Sequence, residues 1–264
     1  MTTNFPTILA LDFDGVICDG LVEYFQTAWR AYCKIWKPLD TVPDSDLALT
    51  FYGLRPVIET GWEMPLLIRA LLVGIPQEKI LLEWPNIAQS LLLENNLMAL
   101  DVGTQLDSLR DEWIASDLGG WLDMHRFYPG VAERLQELIN SDVQPIIVTT
   151  KEGRFVRELL LRAGVQMPEG SIIGKEYKQP KHQVLRELLA KSGGKSVIWF
   201  VEDRLKTLLS VKQQPDLTGV RLFLADWGYN TVAERESVAQ YRPVQLLSLS
   251  EFAQDCAFWP RKEL

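Results

Sequence analysis

Residues Thr7–Gly15 read TILALDFDG. Four apolar residues run straight into Asp12-Phe13-Asp14-Gly15. A short apolar run closed by turn-forming residues predicts a strand buried on both faces, here Thr7–Phe13, and then a tight turn. Residues two apart on an extended chain point the same way, so Asp12 and Asp14 can face one site. Gly15 allows the chain to bend sharply just beyond them.

Working outward, the rhythm changes at Leu21. From there to about Asp123 the apolar residues recur at helical spacing, as in LVEYFQTAWRAYCKIW, EMPLLIRALL, EKILLEWPNIAQSLLLENN and LMALDVGTQLDSLRDEWIASD. Pro38, Pro43, Pro65, Pro76 and Pro85 mark starts or breaks in these helices. No stretch of the block reads as a strand. After Pro129 short apolar runs alternate with helical patterns. The expected strands are Gln144–Thr149, Ser171–Ile173, Ser196–Val201, Val220–Ala225 and Pro243–Leu247. Such alternation predicts a parallel sheet with helices on both faces. The fold expected is α/β: a Rossmann-like, doubly wound parallel sheet formed by residues 1–20 and 124–264, with an all-helical cap, residues 21–123, inserted after the first strand. The closing WPRKEL is expected to fray.

Composition narrows the function. The chain has 264 residues, 47% of them hydrophobic, and a formal net charge of -8. That balance argues against a general nucleic-acid or anionic-membrane surface. An acidic protein that handles an anionic substrate needs a local positive centre: a metal, a lysine or aimed backbone amides. Three cysteines in no metal-type cluster read as reduced thiols. Two histidines, His125 and His182, exclude a histidine-rich zinc site, and both read as structural or surface residues. The N-terminal stretch lacks the pattern of a signal peptide and no apolar run is long enough to span a bilayer. A soluble protein of the cytoplasm, or of an organelle after processing, is the expectation, with no membrane or nucleic-acid partner and the oligomeric state left open.

In a doubly wound sheet, ligands bind beyond the carboxyl ends of the strands. The first strand ends in Asp12 and Asp14, the second in Thr149-Thr150-Lys151, and the fourth in Glu202-Asp203. Lys178 and Lys181 precede the helix that leads into the fourth. Taken in this order, these residues resemble the haloacid dehalogenase-like superfamily, in particular its members of the phosphoglycolate phosphatase and beta-phosphoglucomutase-like group, which carry a helical cap after the first motif. LALDFDGV matches the family's Asp-x-Asp-Gly motif, IIVTT its strand ending in Thr or Ser, YKQPKHQVL its lysine before a helix, and VIWFVED its apolar strand ending in acidic residues. Two departures stand out. Glu202 occupies the usual glycine position, with no further Asp soon after, and the lysine motif offers both Lys178 and Lys181. The spacing to the following helix favours Lys181.

The resemblance implies a phosphatase that forms an aspartyl-phosphate on Asp12, with Asp14 as general acid and base. It implies Mg2+ held by Asp12, the Asp14 carbonyl and Asp203, with Glu202 as a further ligand through water. Thr149 and Lys181 would bind the phosphoryl oxygens. The implied substrate is a small phosphorylated metabolite, over which a helical lid can shut. Thr150, and in the cap Arg55 and Glu63 from the Gly- and Pro-marked stretch YGLRPVIETGWE, are the candidate substrate contacts. A packed helix junction is the competing reading of that stretch. Phosphomutase chemistry within the same superfamily, or a catalytically weak binding protein of this fold, are the alternatives. KSGGKS does not make a nucleotide loop, because Leu189 stands where the first glycine belongs and the segment precedes a strand.

Overall fold

The computed structural model describes residues 5–259. Eight strands occur along them: β1 (Ile8–Leu11), β2 (Cys18–Asp19), β3 (Arg126–Phe127), β4 (Gln144–Val148), β5 (Ile172–Ile173), β6 (Ile198–Glu202), β7 (Arg221–Ala225) and β8 (Val244–Leu247). Six of them form one sheet in the order β5-β4-β1-β6-β7-β8, every neighbouring pair parallel. From β1 the chain first builds outward on one side through β4 and β5, then returns to build β6, β7 and β8 on the other. The order therefore reverses beside β1, which is where a doubly wound sheet opens a crevice for a ligand. In register, Leu11 lies between Ile147 and Val201. Asp12, Thr149 and Asp203 directly follow the last residues of β1, β4 and β6.

Period-two alternation explains why the central strands are apolar throughout. Ile8, Ala10, Ile146, Val148, Ile198, Phe200, Leu222 and Leu224 share one buried face with Val184, Leu185 and Leu188 of the helix Lys181–Lys191 and Leu205, Leu208 and Val211 of the helix Leu205–Lys212. Their alternating neighbours Leu9, Leu11, Ile147, Trp199, Val201 and Phe223 are buried as well. Trp199 and Phe223 meet Trp259, which also packs on Phe252. Trp259 is only 1% exposed, so the expected fraying of WPRKEL is corrected at its first residue. The aromatic cluster holds Trp259, while residues 260–264 lie outside the described part.

The described residues divide into two compact units, one up to Asp19 and from Arg126 onward, the other Gly20–His125. The antiparallel pair β2 and β3, Cys18 opposite Phe127, carries the chain out of the first unit and back. The second unit is helical, with helices Leu21–Trp36, Ser45–Leu54, Glu63–Leu72, Gln77–Glu94, Ala99–Ser116 and Leu118–Leu122, and no strand among its described residues. Pro85 lies inside the fourth, and Glu83 just before it departs from helical geometry, a kink with an identifiable cause. A buried carboxylate ties this unit together. Glu23 is 1% exposed and accepts from Arg110 Nε at 2.7 Å, Thr27 Oγ1 at 2.7 Å and Trp121 Nε1 at 3.1 Å. A charge buried at that depth persists only when paired and hydrogen-bonded. No described helix is long and apolar enough to cross a membrane.

Candidate active site

Asp12 follows the last residue of β1. Its backbone N–H still donates to the Val201 carbonyl at 3.0 Å, so the carboxylate is carried on the sheet itself. Its Oδ1 accepts the N–H of Phe13 at 2.7 Å, and its Oδ2 lies 2.7 Å from Lys181 Nζ. The same ammonium donates to Glu202 Oε2 at 2.7 Å. Glu202 ends β6 and is wholly buried. Its other oxygen accepts the N–H of Arg204 at 3.0 Å. Asp203 is held by the loop after β7: its Oδ2 accepts the Tyr229 N–H at 2.8 Å, and its carbonyl accepts from Asn230 Nδ2 at 2.9 Å.

These packings depend on glycine. Gly15 has φ +84°, a left-handed conformation, and a Cβ there would overlap the Asp203 carboxylate. A Cβ on Gly228 would strike Asp203 and the Gly15 carbonyl. Two glycines thus let backbone close around one carboxylate, which no larger residue permits.

One oxygen each from Asp12, Glu202 and Asp203 lies within 4.8 Å of the others. Burial, above all, pushes the Asp12 carboxyl up to about 7, with the negative charges of Glu202 and Asp14 adding to it and Lys181 opposing. Asp203 is pushed up to about 6, first by burial and then by Asp12. Burial likewise raises Glu202. Burial alone would lower Lys181, but Asp12 and Glu202 outweigh it and hold the ammonium above the usual lysine range. The cluster is therefore short of positive charge. Its donors are all carboxylate oxygens, which suits a hard divalent cation rather than a soft metal. The residues present fit such an ion.

Residues 6–213 match the family of haloacid dehalogenase-like hydrolases. The chain belongs to this family. No curated protein matches it significantly in sequence. Among solved structures, it resembles a predicted phosphoglycolate phosphatase from Haemophilus somnus (TM-score 0.60, 17% identity, 96% of this chain and 97% of the other covered). A predicted phosphatase from Clostridium acetobutylicum is similar at TM-score 0.59 and 14% identity, with 95% and 97% covered. A hydrolase from Pseudomonas syringae matches at TM-score 0.52 and 13% identity, with 92% and 93% covered. At these identities the likeness is one of fold.

In this haloacid dehalogenase-like hydrolase, the structure brings Asp12, Lys181, Glu202 and Asp203 together. Between the two candidate lysines, Lys181 reaches the carboxylates, whereas Lys178 is exposed and in a left-handed conformation. Asp14 is partly exposed and pairs with Lys151, Nζ to Oδ1 at 3.1 Å. Thr149 is buried at the end of β4, beside β1, and its Oγ1 accepts the Lys151 N–H at 3.1 Å. Thr150 is exposed. In the helical unit, Arg55 begins a turn of 3-10 helix. Its guanidinium lies over the Tyr24 ring, and Nη1 donates to the Ile58 carbonyl at 2.9 Å. Glu63 Oε2 accepts the N–H groups of Glu59 at 2.6 Å and Thr60 at 2.8 Å, which closes the turn before its helix. His125 is buried against Trp121, and His182 Nδ1 meets Ser210 Oγ at 3.3 Å.

Sequence reasoning placed Lys151 at the end of the second strand but gave it no role, and it missed the loop Asp226–Asn230. The place of Lys151 directly after Thr149 and Thr150 was legible, but its pairing with Asp14, 137 positions away, was not. DWGYN, too, follows an apolar strand at the carboxyl edge, but Tyr229 contributes a backbone N–H, which any residue other than proline could supply.

Proposed function

We propose that this hydrolase is a magnesium-dependent phosphomonoesterase acting on a small phosphorylated metabolite. The observation that carries the reading is the buried Asp12 carboxylate at the end of β1, paired with Lys181 and grouped with Glu202 and Asp203. A carboxylate oxygen of Asp12 attacks phosphorus and forms an acyl phosphate. As the P–O bond to the substrate breaks, its electron pair stays on the leaving oxygen, which takes a proton from Asp14. A water then attacks phosphorus, giving its proton to Asp14, and the bond to Asp12 breaks to release inorganic phosphate. Splitting hydrolysis in this way replaces one difficult displacement with two easier ones. Lys181 and Thr149 would hold the phosphoryl oxygens, and catalysis of this kind is mostly positioning and electrostatics.

Asp12, the Asp14 carbonyl and Asp203 would hold Mg2+, with Glu202 behind them. When bound, the ion would neutralise charge on the phosphoryl group. Thr150 and, from the helical unit, Arg55 would meet the rest of the substrate. Glu63, which accepts the Glu59 and Thr60 N–H groups, would be a further substrate contact from the helical unit.

The test is phosphate release from a panel of phosphorylated metabolites, phosphoglycolate and sugar phosphates among them, with Mg2+ and with EDTA. Turnover of at least one member that depends on Mg2+ and is lost in Asp12→Asn is expected. Absence of any turnover across the panel and on p-nitrophenyl phosphate would overturn the reading in favour of a binding protein.

A further inference from the structure

Asp14 must keep its carboxyl in place through two proton transfers, yet it lies just beyond the sheet. Its backbone is well held. The Phe13 carbonyl accepts the N–H groups of Ile17 and Cys18, both at 2.9 Å, and the Gly15 N–H donates to the Cys18 carbonyl at 2.8 Å. These bonds fix the Cα of Asp14 and leave its side-chain torsions open. The carboxyl is 18% exposed, and the Asp12 carboxylate two residues away repels it. A side chain so placed drifts toward water unless something holds it.

Lys151 supplies that hold. Its ammonium lies 3.1 Å from Asp14 Oδ1, across 137 positions of sequence. The lysine is itself anchored. Its N–H donates to Thr149 Oγ1 at 3.1 Å, its carbonyl accepts the Lys175 N–H at 2.9 Å, and its side chain is only 10% exposed. A lysine confined at both backbone ends and along its stem loses little further entropy when it holds a partner. A continuous line of fixed groups thus runs from β4 to the Asp14 carboxyl.

We propose that Lys151 is a positioning residue for proton transfer, which holds Asp14 by Oδ1 and leaves Oδ2 to exchange the proton with the leaving group and then with water. This rests on the role of Asp14 proposed above. It separates the two lysines of the site. Lys181 acts at the nucleophile and the phosphoryl group, and Lys151 acts on the substrate only through Asp14.

The experiment uses the dependence on leaving group. Wild type, Lys151→Met, Lys151→Arg and Asp14→Asn are compared on p-nitrophenyl phosphate, whose leaving oxide is stable without a proton, and on phenyl phosphate, whose leaving group is as basic as a tyrosine phenolate. General acid catalysis contributes about 10²–10⁴-fold where it is needed. Asp14→Asn sets the scale, with a much larger loss on phenyl phosphate. Lys151→Met should follow the same pattern, losing at least roughly tenfold more kcat on phenyl phosphate than on p-nitrophenyl phosphate, with KM and inhibition by inorganic phosphate nearly unchanged. Lys151→Arg, which keeps a cation at that place, should recover part of the difference. Equal kcat losses on both substrates, or a loss confined to KM and phosphate affinity, would overturn the proposal and make Lys151 a phosphate-binding residue. If Asp14→Asn itself shows no dependence on leaving group, the role of Asp14 fails first and the proposal with it.

Discussion

Replacing Asp12 with asparagine should abolish turnover and, in the absence of metal, stabilise the protein at neutral and higher pH. The reason lies in the crowding of the cluster. Burial and the neighbouring carboxylates push Asp12 from 3.8 up to about 7. A carboxyl whose pKa is raised on folding binds its proton more tightly in the native state than in the unfolded one. Its contribution to stability is therefore fully present below the unfolded pKa and is lost as pH climbs through the folded pKa. Metal-free wild type should lose stability between about pH 4 and pH 7 on this account, and Asp12→Asn should not. Moving a carboxyl from 3.8 to about 7 corresponds to ~4 kcal/mol. Part of that gain is cancelled, because Lys181 loses one of its two carboxylate partners at 2.7 Å and keeps only Glu202 as a charged partner. A net gain on the order of 1–2 kcal/mol at pH 8 is expected, or a rise in Tm of about 2–8 °C.

The assay is thermal unfolding in EDTA, wild type against Asp12→Asn, from pH 4 to pH 8. The gap in Tm should be near zero at the acid end and open as pH rises. Saturating Mg2+ at pH 8 should close or reverse it, since a ligand at a hundred times its Kd adds ~2.7 kcal/mol to the protein that binds it. A gap that does not change with pH, or a less stable Asp12→Asn at pH 8 in EDTA, would refute the electrostatic reasoning. Separately, turnover by Asp12→Asn within tenfold of wild type, about 1.4 kcal/mol in barrier, would remove Asp12 from the nucleophile's place.

Gly15→Ala should lose activity and roughly 2–4 kcal/mol of stability, because a side chain at φ +84° is strained and its Cβ overlaps the Asp203 carboxylate; urea unfolding together with phosphatase assays checks both. Activity should vanish in EDTA, return with Mg2+ and fall again with excess calcium, whose larger and looser coordination spoils the geometry of attack; full activity in EDTA would exclude a metal. Arg55→Ala should lower kcat/KM for the physiological substrate about ten- to a hundredfold and that for p-nitrophenyl phosphate far less, the loss of a charge-assisted hydrogen bond. Equal losses on both substrates would assign Arg55 to the packing of its turn against Tyr24 instead.

Much of this architecture could be read directly from the chain. Strands β1 and β4 to β8 are short apolar runs that stop at charged or turn-forming residues, and their observed ends lie within two residues of those expected. Strands β2 and β3 have two residues each, too few for any period to register. The helix Ser45–Leu54 was not singled out, because SDLALTFYGL has no clean apolar stripe, although Asp44 caps it through the Asp46 N–H. At the site, residues that act through side chains at strand ends stood out as charges following apolar runs. Lys181 was distinguishable from Lys178 only by its spacing to the helix. What no sequence pattern carries is the pairing of Lys151 with Asp14, 137 residues away, or the closing of Gly228 and Tyr229 over Asp203. The burial of Trp259 has the same origin, since its partners Trp199 and Phe223 lie far back along the chain.

The charge balance of the site links these pieces. Asp12, Asp14, Glu202 and Asp203 bring four carboxyl groups, and Lys151 and Lys181 bring two ammonium groups, each already in contact with a carboxylate. In a chain with a formal net charge of -8, these lysines alone cannot make the site attractive to a phosphate dianion. Their charge is matched before the substrate arrives. Two negative charges remain when all four carboxyls are ionised, and the upward displacement of Asp12 and Asp203 is the response of buried carboxyls to that deficit. One divalent cation would make up the difference. On this reasoning the glycines and the DWGYN loop, which press backbone around Asp203, serve to keep a carboxylate where its own burial disfavours it. The stability forgone in the metal-free protein would be the counterpart of affinity for the ion. A substitution that relieves the crowding should therefore weaken Mg2+ binding in proportion to the stability it restores.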